Sequence, residues 1–197
     1  MNVLQIAVAA KQTAFVQELL NCMSAKELEF ENANGDTALA ITALSGNVKI
    51  AKKMVEKNDK LPMIRNKQKY LPLLIAARHR HRDMVLNLYR VTNFEELTQD
   101  ERVKLLSYVI FCDLYDIAKA ILTKAPTLAT AEDENGCIAL EQLARKPFEI
   151  GSRSQMSVWE RCIGSCFKGF YHKALMRTLA HQLVEDIWKK VQKLPLK

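Results

Sequence analysis

A leucine recurs along this chain at Leu4, Leu39, Leu73, Leu106 and Leu140, at intervals of 35, 34, 33 and 34 residues. That period constrains the fold more than any single motif. Each module is too short to bury its own apolar face and must stack on its neighbours. Two further landmarks keep step. Val16, Ala51, Val85 and Ala118 lie twelve residues after their leucines, and Leu20, Val55, Tyr89 and Leu122 lie sixteen after. Two short apolar blocks per unit predict a helix–turn–helix module.

The turns refine this reading. Asn32-Ala33-Asn34-Gly35-Asp36-Thr37-Ala38-Leu39 and Asp133-Glu134-Asn135-Gly136-Cys137-Ile138-Ala139-Leu140 share a D/N-x-x-G-x-x-A-L arrangement. Glycine supplies the positive φ of a tight turn, and Thr37 can cap the helix that follows. That helix should end at Ser45-Gly46-Asn47, with a second over Val48–Glu56. In the third unit Pro72 sits in a first helical turn, where its missing N–H costs nothing. The tetratricopeptide repeat shares the period but does not explain the Asn34-Gly35 turn ahead of Thr37.

These residues resemble the ankyrin repeat, a β-turn followed by two antiparallel helices. The expected fold class is an all-α ankyrin-repeat solenoid of about four to five units, with a C-terminal helical extension. The expected domains are an array over residues 1–150 and a linker with amphipathic helices over 151–197. Units two and three match best. Unit one would be an N-terminal cap, unit four keeps only spacing and apolar pattern, and unit five has a truncated second helix. Beyond Pro147 a linker over 148–155 leads to one helix marked by Trp159, Ile163, Phe167 and Phe170. A second, over about 171–192, is marked by Leu175, Leu179, Leu183, Ile187 and Val191.

The layout is also similar to a plant family of ankyrin proteins, accelerated-cell-death-like, whose longer members end in a PGG membrane domain. Carrying the likeness are Asp133-x-Asn135-Gly136, Ala139-Leu140-x-x-Leu143-Ala144-x-x-Pro147, Trp159, the basic and aromatic run Phe167–Lys173, and the helix ending in Ile187-Trp188. The resemblance implies a signalling protein of stress or defence responses whose repeats bind other proteins. The sequence stops at Lys197 without the membrane domain, so the expectation includes a soluble paralogue or a truncated form of a membrane-anchored protein.

Function classes narrow further on chemistry. No G-x-S-x-G, H-E-x-x-H, P-loop or G-x-G-x-x-G occurs. No catalytic, cofactor or metal site is expected. Five scattered cysteines make a disulfide framework improbable and fit a reducing, cytoplasmic setting. The longest apolar run, Leu71–Ala77, falls far below the ~20 residues of a spanning helix.

The formal charge of +7 is uneven. Between residues 65 and 92 stand Arg65, Lys67, Lys69, Arg78, Arg80, Arg82 and Arg90 against Asp83 alone, followed by Glu95, Glu96, Asp100 and Glu101. No stacking platform or groove-reading element accompanies the cations, so a partner protein with an acidic surface is expected rather than nucleic acid. Lys189, Lys190, Lys193 and Lys197 allow contact with an anionic membrane, on its cytoplasmic face. By register the run Arg78-His79-Arg80-His81-Arg82 should be the end of a first helix and the turn to its second, and its arginines would repel a dication, so no metal site is expected there.

Register places the partner-binding candidates on the turn tips and first-helix ends: Asn34 and Asp36; Lys67, Gln68, Tyr70, Arg78 and His79; Phe111; and Arg145. Leu44, Glu101, Val103 and Cys137 occupy similar positions. Tyr70, Arg78 and Phe111 are the expected anchors, because aromatics and arginine dominate hot spots. Phe111 reads equally well as core.

Overall fold

The computed structural model describes residues 2–133, 136–144 and 168–192. By its internal contacts the chain divides into two compact units, residues 1–98 and 99–197.

The first unit is three helical pairs. They are α1 (Val3–Ala9) with α2 (Thr13–Cys22), α3 (Ala38–Ser45) with α4 (Val48–Lys57), and α5 (Pro72–Arg78) with α6 (Arg82–Val91). First helices pack on first helices (α1 on α3, α3 on α5), and second helices on second helices (α2 on α4, α4 on α6). The expected boundaries hold to within a residue or two. Thr37 caps α3, its Oγ1 accepting from the Ala40 N–H at 3.3 Å, and Asn47 caps α4 through Ile50 at 3.2 Å. Each supplies about 1 kcal/mol of helix stability. Pro72 opens α5.

Most of the periodic residues are core, with Val55 and Tyr89 half-buried. Leu39 and Met54 have no exposed surface, and Leu4 and Leu73 have 1%. A buried glutamine ties the first pair to the next turn: the Gln5 side chain donates to Phe30 O at 2.8 Å and Asp36 O at 3.2 Å.

Two left-handed positions recur along the array. One closes the turn between repeats, at Gly35 (φ 78°), Lys69 (φ 62°) and Gly136 (φ 71°). The other joins the two helices of a pair, at Lys11 (φ 57°), Gly46 (φ 74°), Arg80 (φ 60°) and Asp113 (φ 60°). All four non-glycine positive-φ residues among those described therefore occupy repeat positions where geometry demands that conformation. The first turn type has one hydrogen-bond plan. The Asn32 Oδ1 accepts from the N–H groups of Asn34 and Asp36 at 2.8 and 2.9 Å, and Asn66 Oδ1 accepts from Gln68 and Tyr70 at 3.1 and 2.9 Å.

A fourth landmark was missed in the sequence. In each of the first four pairs the second helix is followed by a 3₁₀ turn, at Lys26–Glu29, Leu61–Met63, Phe94–Glu96 and Pro126–Thr130. Leu28, Leu61, Phe94 and Leu128 anchor these turns with 5% or less of their surface exposed. Charged neighbours break the apolar pattern there and hide the recurrence.

The second unit opens with α7 (Gln99–Phe111) and α8 (Tyr115–Lys124), then α9 (Ala139–Ala144) and α10 (Lys168–Val191). Tyr115, 1% exposed, donates its hydroxyl to the Asp113 carboxylate in the turn between α7 and α8, at 2.9 Å. Gln142 joins α9 to its surroundings, donating to Ser107 Oγ at 3.0 Å and Asp133 Oδ2 at 2.6 Å.

The helix expected beyond the array is α10, and it packs against α8 and α9. A shared pattern gives its role. Ile50-Ala51-x-x-Met54-x-x-Lys57 of α4 matches Ile117-Ala118-x-x-Ile121-x-x-Lys124 of α8 and Leu183-Val184-x-x-Ile187-x-x-Lys190 of α10. Leu183 and Ile187 are fully buried, like Met54 and Ile121. The Lys57 ammonium donates to Leu20 O, and Lys190 donates to Leu122 O at 2.9 Å; Leu20 and Leu122 share one repeat position. So α10 has the side-chain pattern and the lysine–carbonyl contact of a second helix, and it packs beside α9. The period disappears because Lys57 lies 18 residues after Leu39 whereas Lys190 lies 50 after Leu140. The expected helix around Trp159 falls outside the described residues.

Candidate functional site

Successive turns in the first unit are laced together. Lys67 N–H donates to Asn34 O at 3.1 Å, the Lys67 ammonium reaches Ala33 O at 2.8 Å, and Asn66 Nδ2 donates to the Asp36 carboxylate at 2.8 Å. Behind this lacing, between α3 and α5, lies a shallow cleft of about 160 Å³ lined by Asp36, Ile41, Leu44, Gln68, Tyr70, Ile75, Arg78 and His79, among others. The Arg78 guanidinium carbon stands 5.5 Å from the Tyr70 ring centroid. An arginine over an aromatic face is held by the ring quadrupole while its outer N–H groups remain available to a carboxylate.

Five of the sequence-predicted residues thus converge: Asp36, Gln68, Tyr70, Arg78 and His79. They do not play equal parts. Asp36 spends a carboxylate oxygen on Asn66 and serves as a wall of the cleft. Gln68, Arg78 and His79 are exposed and Tyr70 is half-buried. Asn34 and Lys67 sit on the adjacent turn tips. Leu44 (46% exposed), which register also offers, and the edge of Ile41 add an apolar floor.

The remaining candidates stand elsewhere. Phe111, 55% exposed at the end of α7 in the second unit, is not a core residue. Glu101, Val103 and Cys137 are buried at 4%, 8% and 7% and offer nothing to a partner. Arg145 lies outside the described residues. In the basic run, α5 ends at Arg78, His79 caps it, and α6 begins at Arg82. His81 is committed to the fold. Its Nε2 lies 2.9 Å from Leu44 O, and its ring leaves no room for a Cβ on Gly46. Of the C-terminal lysines, Lys190 holds α10 in place and Lys189 is exposed, while Lys193 and Lys197 fall outside the described residues.

A second cleft, of about 210 Å³, lies between the first two pairs and is lined by residues including Val8, Lys11, Val16, Thr42 and Ile50. It has no aromatic or paired cations to anchor a guest. Two titrations are shifted outside both clefts: burial pushes the Tyr89 phenol up, and hydrogen bonds from Ser24 hold the Glu27 carboxyl below its ordinary value. Among the described residues no group of three or more His, Cys, Asp or Glu side chains could hold a metal ion. No helix among them is long and apolar enough to cross a membrane.

A family model described as ankyrin repeats, in three copies, matches residues 4–100. Residues 4–100 are ankyrin repeats. No curated protein matches the chain by sequence. Among solved structures, a chain from the complex of a predatory endopeptidase of Bdellovibrio bacteriovorus with an immunity protein is similar. The likeness covers 96% of this chain and 98% of that one, with a TM-score of 0.59 and 16% sequence identity. At that identity it speaks to the fold, which is an all-α ankyrin solenoid. Ankyrin arrays present an extended surface of first helices and turns to their partners, and the Tyr70–Arg78 cleft lies on that surface.

Proposed function

We propose that this protein is a non-catalytic scaffold that binds a partner protein through the cleft between its second and third ankyrin repeats. The observation that carries this is the stacked Arg78–Tyr70 pair over an apolar floor of Ile41, Leu44 and Ile75. Such a site favours a segment with one bulky apolar side chain beside a carboxylate. The apolar group fills the floor, and the carboxylate meets Arg78 with Arg80 nearby in sequence. The solved neighbour's occurrence in a complex with an immunity protein supports a protein as partner. The likeness of residues 133–188 to the plant PGG-type ankyrin family supports a role in signalling during stress or defence, in the cytoplasm.

A peptide array of random acidic and basic 15-residue segments tests the cleft. Acidic segments with a large apolar residue should bind. Arg78→Glu combined with Arg80→Glu should weaken them at least tenfold, and Tyr70→Ala by a similar factor, with helical circular dichroism unchanged. Equal binding of basic segments, or unaltered affinity in the variants, rejects the cleft as the site.

Contact of the C-terminal helix with an anionic membrane is a second reading. Trp188, 51% exposed, beside exposed Lys189 supports it, since tryptophan and lysine pair well at a headgroup interface. Co-sedimentation with phosphatidylserine vesicles, lost in a Trp188→Ala, Lys189→Glu variant, separates the two readings.

A further inference from the structure

One exposed segment of this chain carries the chemistry that the Tyr70–Arg78 cleft calls for. Phe30 is 57% exposed, just past the 3₁₀ turn Lys26–Glu29. Carboxylates surround it in sequence, as Lys26-Glu27-Leu28-Glu29-Phe30-Glu31. Glu27 accepts from the Ser24 N–H and hydroxyl, and Glu29 accepts from Asn58 Nδ2 at 2.8 Å. Glu31 is exposed, and no described residue bonds its carboxylate. Neither feature belongs to the repeat plan. The matching residues of the next repeat are Ile64, which is half-buried, and the cation Arg65.

The cleft between α3 and α5 answers this segment in shape and charge. Its floor of Ile41, Leu44 and Ile75 can bury an aromatic ring, and Arg78 and His79 stand at its edge. The arginines Arg78, Arg80 and Arg82 have no acid among them, while the residues around Phe30 set three carboxylates against Lys26. Asp36, the acid of the cleft wall, is already engaged by Asn66 Nδ2 at 2.8 Å. Phe30 is not among the cleft's walls and is held away from it. Its carbonyl accepts from the Gln5 side chain at 2.8 Å, and the turn that follows is closed on Asn32 Oδ1 by the N–H groups of Asn34 and Asp36. The ring is therefore fixed beside the first helical pair, and only another copy can present it to the cleft.

We infer that the Tyr70–Arg78 cleft of one copy takes Phe30 of a second copy, with Glu31 set against the arginines. This rests on the reading of the cleft as a site for acidic segments with a bulky apolar residue. The two surfaces differ, so the contact is heterologous and every copy carries one ring and one cleft. Self-contact then competes with the partner protein for the same floor. The contact is small, so it forms in proportion to protein concentration.

Sedimentation equilibrium of the full chain over roughly 1–200 μM, a range suited to a small interface, provides the test. The wild type should rise above its monomer mass of 22.5 kDa. Phe30→Ser keeps the cleft, and Arg78→Glu with Arg80→Glu keeps the ring. Each variant alone should associate at least tenfold more weakly, with unchanged circular dichroism. An equal mixture of the two should regain association, because one brings the cleft and the other the ring. An acidic segment bound in the cleft should return the wild type to the monomer mass. A wild type that stays monomeric throughout, undiminished association of Phe30→Ser, or a mixture that stays apart would overturn the inference. Should acidic segments still bind the cleft in that event, the cleft reading stands without it; should they bind nowhere, both fall. If the arginine variant does not fold, competition decides alone, and a wild type that stays associated with its cleft saturated overturns the inference.

Discussion

Residues 2–98 and 99–192 solve one packing problem with different chain connections. In the first unit every second helix follows its first across a two- or three-residue turn, as at Gly46-Asn47 between α3 and α4. In the second, α7 and α8 obey that rule, but the helix packed beside α9 comes from residues 168–191. What the two arrangements share is side-chain chemistry. Two apolar residues one turn apart and a lysine a turn later recur in α4 and α10, and that lysine caps the same carbonyl of the preceding second helix. Stacking in such an array depends on the complementary face arriving, and only weakly on how much chain precedes it. Loop-closure entropy grows slowly with length, at about 0.6 kcal/mol per doubling, so a long insertion is cheap beside the burial it permits.

The strongest break of this comparison removes α10's grip. Ile187→Ala deletes a fully buried side chain and should cost about 3 kcal/mol. If α10 completes the last repeat, native-state hydrogen exchange should show α8 and α9 losing protection while α3 to α6 keep theirs. Loss confined to α10 itself would mean that it is an appendage and not a repeat element.

The turns give a finer contrast. Gly35 and Gly136 are both left-handed, but a Cβ on Gly35 would come within 2.6 Å of the Lys67 backbone nitrogen, whereas one on Gly136 meets nothing within 4 Å. Gly35→Ala should therefore cost about 2–3 kcal/mol, conformational strain plus overpacking, and Gly136→Ala about 1 kcal/mol from strain alone. Lys69 holds the same turn position at φ 62° with a side chain, so Lys69→Gly should gain about 0.5 kcal/mol. Urea denaturation of the three variants checks the order, and a Gly136 effect equal to that of Gly35 would show that the close contact relaxes freely.

These residues also mark how far the sequence could be read. Leu39, Thr37 and Pro72 announced α3 to α5 because caps and buried leucines act locally. Lys69 hid a turn, since nothing in a lysine advertises positive φ, and only its alignment with Gly35 and Gly136 exposes it. The pairing of α9 with α10 was hidden by its lost period; the pattern Leu183-Val184-x-x-Ile187-x-x-Lys190 was the available signal. At the cleft, the spacing of Tyr70 and Arg78 placed both on one surface. Register also offers Leu44, but the part Ile41 plays in the floor depends on how closely α3 and α5 approach, which one-dimensional spacing does not encode.

The smallest effect sharpens the comparison most. Lys57 and Lys190 are both half-buried and both donate to a carbonyl at the end of the preceding second helix. Methionine at either position keeps the stem's packing and removes the donor, which should cost about 1 kcal/mol. The two costs should agree within about 0.5 kcal/mol if the contacts are equivalent, the usual margin for independent sites. Each should also appear in its own unit, as faster exchange of α2 and α4 for Lys57→Met and of α8 and α10 for Lys190→Met. A silent Lys190→Met beside a costly Lys57→Met would leave α10 held by Leu183 and Ile187 alone, and the likeness of the two helices would then be one of apolar pattern without the shared cap.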